Sequence, residues 1–341
     1  MKRIRSLRGD ESGVASTVGT IMALLVFLTF LSLIVNQYVP AWMKESEATH
    51  MSGAFGQMGS FKGSVDLQVL SATTAENAGI SYIPVTTFTP VTLGVEGVPI
   101  FTSPTAGELR LGPESSPWTT QFVYVIRGVP QAVNQTSSGR ITLEVFNRYF
   151  VRQTLVYENG AVVRSQIDGQ SVRAEPSLTV NVVDENIELA WTQISLFGHG
   201  SVAGTATEGI HARLVGVDRQ DYTGLRTDVW INASSPYGAA WAAFFNRTLS
   251  GAFGVPRERF NNPLYPGYGY TPLANGGVDI ATPFYRVRTT WNPTLQLYVL
   301  SVQILNDPNG INPFVGRISV LRIQVAYLNI AVADKGREVN L

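Results

Sequence analysis

The chain has 341 residues, 45% hydrophobic and 15% charged, with 25 Lys+Arg against 25 Asp+Glu and no cysteine. It is long enough to bury a sizeable core as two domains or one large β domain. A neutral balance with no basic cluster beyond residue 8 argues against nucleic acid as a partner, and the missing cysteine excludes disulfides and thiolate-held metals.

The chain opens with a basic leader, residues 1–13, carrying Lys2, Arg3, Arg5 and Arg8. Residues 12–43 then contain no charge, and the apolar run 14–35 is 22 residues long. As a helix that run measures roughly 33 Å, enough for the ~30 Å hydrocarbon core of a bilayer. It is too long for a signal-peptide apolar region and has no small-residue cleavage site behind it. A single transmembrane helix is therefore predicted over 14–39, in contact with membrane lipid. The basic residues before it, against Lys44 alone close after it, place the N-terminus in the cytoplasm and the bulk of the chain outside.

Helical periodicity continues past Pro40. Trp42, Met51, Phe55, Met58, Phe61 and Val65 recur at three- and four-residue spacings among polar residues, predicting an amphipathic stalk over 40–66. Gly53, Gly56, Gly59 and Gly63 weaken it, at about 1 kcal/mol each relative to Ala.

From residue 67 the period becomes that of strands. Ile141, Leu143 and Val145 alternate with polar neighbours, as do Leu178, Val180 and Val182, and Tyr285, Val287 and Thr289. Strands are also read at 121–127, 150–157, 188–196, 209–217 and 295–305. The last, 317–332, has a phase slip near Val320 and Leu321 that predicts a bulge. Turn signals separate them: Glu158-Asn159-Gly160, Asp168-Gly169, Asn275-Gly276-Gly277 and Asp307-Pro308-Asn309-Gly310. The fold class is thus mainly β: a long N-terminal transmembrane and amphipathic helix, then a large β-sandwich ectodomain over 67–341, with any subdivision near 197–205.

One inserted helix is expected after Ser235 as N-cap and Pro236 as first helical residue, with Trp241, Phe244, Phe245 and Leu249 on one face. The Pro/Gly-rich stretch 254–283 follows, with Tyr265, Tyr268 and Tyr270. It reads either as an interaction loop or as a long loop packed on its own sandwich by its aromatics. Three sequons, at Asn134, Asn232 and Asn246, are candidate N-glycosylation positions on the exterior.

Chemistry is sparse. His50, His199 and His211 do not fall at ligand spacing on one helix, and HExxH is absent. Gly198-His199-Gly200-Ser201-Val202-Ala203 matches GxGxxG/A in form, but β-like sequence follows where a dinucleotide site needs a helix. No phosphate loop and no nucleophile elbow occurs. The clusters Asp184, Glu185, Glu188 and Arg257, Glu258, Arg259 read as solvated turns. Asp307 to Asn312 lacks the closing Glu of a calcium loop. No catalytic residue, cofactor or metal site is predicted, and the chain does not read as an enzyme.

The leader KRIRSLRG and the run Asp10 to Ile21, with Gly13, Val14 and Gly19, resemble the charged leader and "GVSPVIG"-type opening of archaeal type IV pilin-like proteins. Ala15 and Ser16 depart from the Ser and Pro common there. Softer likenesses are Tyr38-Val39-Pro40 with Trp42-Met43-Lys44, the strand pair around residues 156–162, and the Trp241/Phe244/Phe245 helix. The resemblance implies trimming by a prepilin peptidase, with Gly9 and Gly13 both candidate cleavage positions. It also implies association with pilin-like subunits, or a homo-oligomer, through the N-terminal helix. An ectodomain this large suits a minor or tip subunit of a pilus-like filament. The alternative is a signal-anchored extracellular sandwich that binds carbohydrate or another surface ligand without polymerising.

Overall fold

The computed structural model describes residues 11–183, 186–308 and 316–332, with side chains from residue 15 onward. Gly9, the acidic pair Asp184 and Glu185, and residues 309–312 lie outside the described residues.

The N-terminal helix begins as α1, Glu11–Leu33, and resumes as α2, Val39–Asn77, after a single π turn over Ile34–Tyr38. The π turn has a local cause. Pro40 has no N–H to return to the preceding turn, and its ring crowds the carbonyl four residues back. Widening the turn, so that the Val39 N–H bonds the Ile34 carbonyl, relieves both. The helix is long and apolar enough to cross a membrane, and none of its most apolar stretch is buried.

Among the described residues, eighteen strands follow in three sheets. The central sheet has the order β1 (Thr86–Thr92), β12 (Thr207–Tyr222), β18 (Arg317–Val332), β10 (Asn186–His199), β9 (Leu178–Val183). A six-stranded sheet runs β11 (Ser201–Gly204), β2 (Gly107–Gly112), β5 (Arg140–Val145), β6 (Gln153–Glu158), β7 (Ala161–Gln166), β8 (Gly169–Ala174). A seven-stranded sheet runs β14 (Gly269–Pro272), β15 (Val278–Ala281), β16 (Tyr285–Asn292), β17 (Leu297–Ile304), β13 (Val229–Ser235), β3 (Trp118–Ile126), β4 (Val129–Ser137). The region after the helix is thus mainly β, as expected, and its sandwich-like architecture is built from three sheets.

Two apolar cores lie against the central sheet, and its long strands serve both. In β10, Ile187, Leu189 and Trp191 join the first core, while Ile194 and Leu196 join the second. In β18, Leu321, Ile323 and Val325 join the first, and Ala326, Leu328 and Ile330 the second. The change from odd to even positions means that the two cores use opposite faces. The division therefore falls midway along the strands. The Gly-rich run 197–205, the expected place for a subdivision, instead crosses the end of β10 and β11. The expected bulge is present: Ile187 pairs Ile318 and Glu188 pairs Val320, leaving Ser319 as the extra residue.

Three further expectations are corrected. The inserted helix, α3, spans Gly238–Ala252 with Tyr237 as N-cap, so Ser235 ends β13 and Pro236 precedes the helix. The Ser235 hydroxyl donates to the Glu158 carboxylate at 3.0 Å, and its oxygen accepts the Tyr237 amide at 3.1 Å. The segment 254–283 is not aperiodic, since β14 and β15 inside it extend the seven-stranded sheet. The helix expected over 40–66 starts at Val39, within one residue of that limit, but runs on past 66 to Asn77 along the β domain.

Candidate functional site

α2 is fastened to the ectodomain by an apolar stripe and a row of polar clamps. Val39, Met43, Met51, Ala54, Met58, Phe61, Val65, Val69 and Ala72 are buried. Each fully buried Met, Phe or Val removes about 1.5–3 kcal/mol of apolar surface from water. The expected stripe is observed except at Trp42, which is 50% exposed.

Glu47 lies on the buried stripe and is fully enclosed. Its Oε1 accepts the Thr105 hydroxyl at 2.6 Å and the Arg148 amide at 3.1 Å, and its Oε2 accepts the amides of Tyr149 at 2.9 Å and Phe150 at 2.7 Å. Burial works against ionisation, but these donors outweigh it and hold the carboxyl below its ordinary value. Gln57 accepts the Thr92 amide and Gln68 accepts the Leu214 amide, at 2.9 and 2.8 Å. The extra residue Val215 in β12 sits beside that second bond, at a register shift against β18.

With one side of α2 fixed, the opposite side is defined. Trp42, Ser46, Thr49, Gly53, Gly56, Ser60, Gly63, Leu67, Leu70 and Thr74 follow one another at alternating four- and three-residue steps, and all are exposed. None is charged. An added Cβ at Gly53, Gly56 or Gly63 meets nothing within 4 Å, so the fold itself does not require glycine there. Three of the four glycines that weaken the helix thus share one open face, and half-buried Gly59 lies off it. The missed signal was their spacing in register with Trp42, Leu67 and Leu70. Glu47 also carried a signal, as a charged residue four positions from both Met43 and Met51.

The sequence-selected residues scatter. Gly13 falls in the first turn of α1. Asn134 is exposed on β4, an edge strand. Asn232 is half-buried in β13, bonded to Gln121 and Ser301. Asn246 on α3 accepts the Tyr285 hydroxyl at 2.9 Å. Tyr268 packs on the first core, while Tyr265 and Tyr270 are exposed. Arg259, from a cluster read as a solvated turn, instead lies over the rings of Tyr265 and Tyr268 at 5.3 and 5.6 Å.

The histidines are dispersed. His50 Nε2 meets the Thr92 carbonyl at 2.9 Å, and His211 packs on its cross-strand partner Phe88. Among the described residues no group of three or more His, Cys, Asp or Glu is placed to hold a metal ion. Glu158 is fully buried, taking the Ser116 and Ser235 hydroxyls and the Trp241 indole N–H at 2.8–3.0 Å. Burial pushes its carboxyl up despite these donors and nearby Arg140. It joins α3 to β6.

Residues 128–256 match a family of unknown function (DUF7289). That segment takes in Glu158, β10, β12 and α3 and leaves out α1 and α2. Comparisons with curated proteins and with solved structures gave no match.

Proposed function

We propose that this chain is a membrane-anchored, pilin-like surface protein that self-associates through its N-terminal helix, as a minor or tip subunit of a filament. One observation carries the reading: the row of exposed, uncharged residues from Trp42 to Thr74, with Glu45 beside its first turn, continues the exposed apolar surface of α1 onto the β domain. A tether needs an apolar span, but it does not need an open row of glycine and serine on the folded side. Small residues let two helices approach closely, and steps alternating between three and four residues keep that contact along a left-handed supercoil. Lys2, Arg3, Arg5 and Arg8 support a cytoplasmic N-terminus and an exterior β domain.

The chain lacks cysteine, so single-cysteine crosslinking in membranes tests this without background. Gly56→Cys and Ser60→Cys are expected to form disulfide dimers readily, and Ile167→Cys, at a 96% exposed turn position, is not. Equal crosslinking at all three positions, or none at the helix, would remove the assembly reading. Mass spectrometry of the mature N-terminus distinguishes cleavage at Gly9 or Gly13 from an intact anchor.

A further inference from the structure

Beside α3 lies a groove of about 490 Å³, within the roughly 300–1,000 Å³ range of small-molecule sites. It has no part in the helix face, so its occupancy is independent of self-association. α3 contributes Ala243 and Asn246, and the following segment contributes Arg257, Phe260, Tyr270 and Leu273. Among the described residues, no Asp or Glu lines it.

Its polar groups are donors. Asn246 has its Oδ1 occupied by the Tyr285 hydroxyl, which leaves its amide N–H groups to donate. Of the nearby arginines, Arg247 pairs with Glu175 at 2.5 Å and Arg259 covers Tyr265 and Tyr268. The Arg257 side chain is exposed and has no hydrogen-bond or ion-pair partner among the described residues. A free guanidinium beside an amide donor, with the groove's other arginine, Arg247, taken by Glu175, selects an acceptor-rich ligand bearing negative charge.

Tyr270 adds an aromatic surface on a fixed backbone. It is 44% exposed, yet its backbone is held on both sides by Asn261. The Tyr270 N–H donates to Asn261 Oδ1 at 2.8 Å, and Asn261 Nδ2 donates to the Tyr270 carbonyl at 2.7 Å. The same pair occupies the free edge of β14 where an incoming peptide strand would bond. That disfavours a peptide added as a strand and favours a ligand read by side chains, one able to lie on an exposed aromatic ring.

We propose that this groove binds an acidic saccharide, with a uronate carboxylate on Arg257 and a sugar face against Tyr270. The test is affinity electrophoresis of the full-length protein in detergent against polygalacturonate, dextran and poly-glutamate. Polygalacturonate is expected to retard the protein, and dextran and poly-glutamate are not. Arg257→Gln should weaken that retention about tenfold, the loss expected for one charge-assisted contact. Tyr270→Ala should weaken it as well, Tyr270→Phe should retain it, and none should change the unfolding temperature. The proposal is overturned by no retention on polygalacturonate, or by retention that Arg257→Gln leaves unchanged. Equal retention on dextran would mark a neutral-sugar site, and equal retention on poly-glutamate charge alone or a peptide; either overturns it too.

Discussion

Glu47, on the helix that follows the apolar N-terminal segment, accepts the backbone amide of Phe150 in the β domain at 2.7 Å. With Thr105 and the amides of residues 148 and 149, this makes the carboxylate a rivet between α2 and the six-stranded sheet. Glu47→Ala leaves four donors without their acceptor. About 3–5 kcal/mol of stability should be lost, as for other broken buried polar networks. Glu47→Gln should lose less. Thermal unfolding of the full chain in detergent reads both, and an unchanged midpoint for the Ala variant would show that the clamp does not hold the helix.

The clamp also sets an acid limit. Folding lowers the Glu47 pKa from its ordinary 4.5, so the folded state binds this proton less readily than the unfolded chain. Its stabilisation is present above that ordinary value and is lost as pH falls through the folded one. Wild type should therefore lose stability below about pH 4.5, and Glu47→Gln should show less of that loss. Parallel acid profiles for the two proteins would refute the assignment.

Glu158 behaves in the opposite sense. Folding raises its pKa above 4.5, so its contribution is present below that value and declines as pH rises through the raised one. Glu158→Gln keeps an oxygen for the Trp241 N–H and offers N–H groups to Ser116 and Ser235, whose hydroxyls can rotate to accept. The variant should lie within about 1 kcal/mol of wild type, gaining relative to it as pH rises above the ordinary carboxyl value of 4.5. A deficit that grows with rising pH would mean that the ionised carboxylate stabilises this junction.

The glycines on α2 separate folding from assembly. Gly53→Ala, Gly56→Ala and Gly63→Ala meet nothing within 4 Å, so helix propensity should stabilise the chain by about 1 kcal/mol each. Gly56→Leu should leave the fold intact and sharply reduce dimer crosslinking at Ser60→Cys. Undiminished crosslinking would show that this face is not the contact.

The turn between β6 and β7 is buried, which is unusual for a hairpin loop. Asn159 and Gly160 have φ of 44° and 78°, as the right-handed strand twist demands of a two-residue turn. Asn159 Oδ1 also accepts the Ile194 amide of the central sheet at 2.9 Å. Asn159→Ala should lose about 2–4 kcal/mol, adding backbone strain to an unpaired amide. Asn159→Gly, which keeps the φ freedom, should lose less, and equal losses would assign the whole effect to the hydrogen bond.

Local pattern determined much of this protein. The apolar run, the stripe from Met51 to Val65, the alternation in β5 and β16, the full extent of β18 and its bulge, and the Asn159-Gly160 turn were all legible. Each is fixed by neighbours within a few residues, through helix or strand period or turn geometry. Tertiary structure alone decided the rest. Glu47 and Glu158 look like solvated charges until distant segments enclose them, and Tyr265, Tyr268 and Tyr270 look alike until one packs on a core. The open glycine face exists only because the other side of α2 is clamped to strands remote in the chain. The two cores divide midway along β10 and β18, because which face of a strand is covered depends on sheets that meet only after folding.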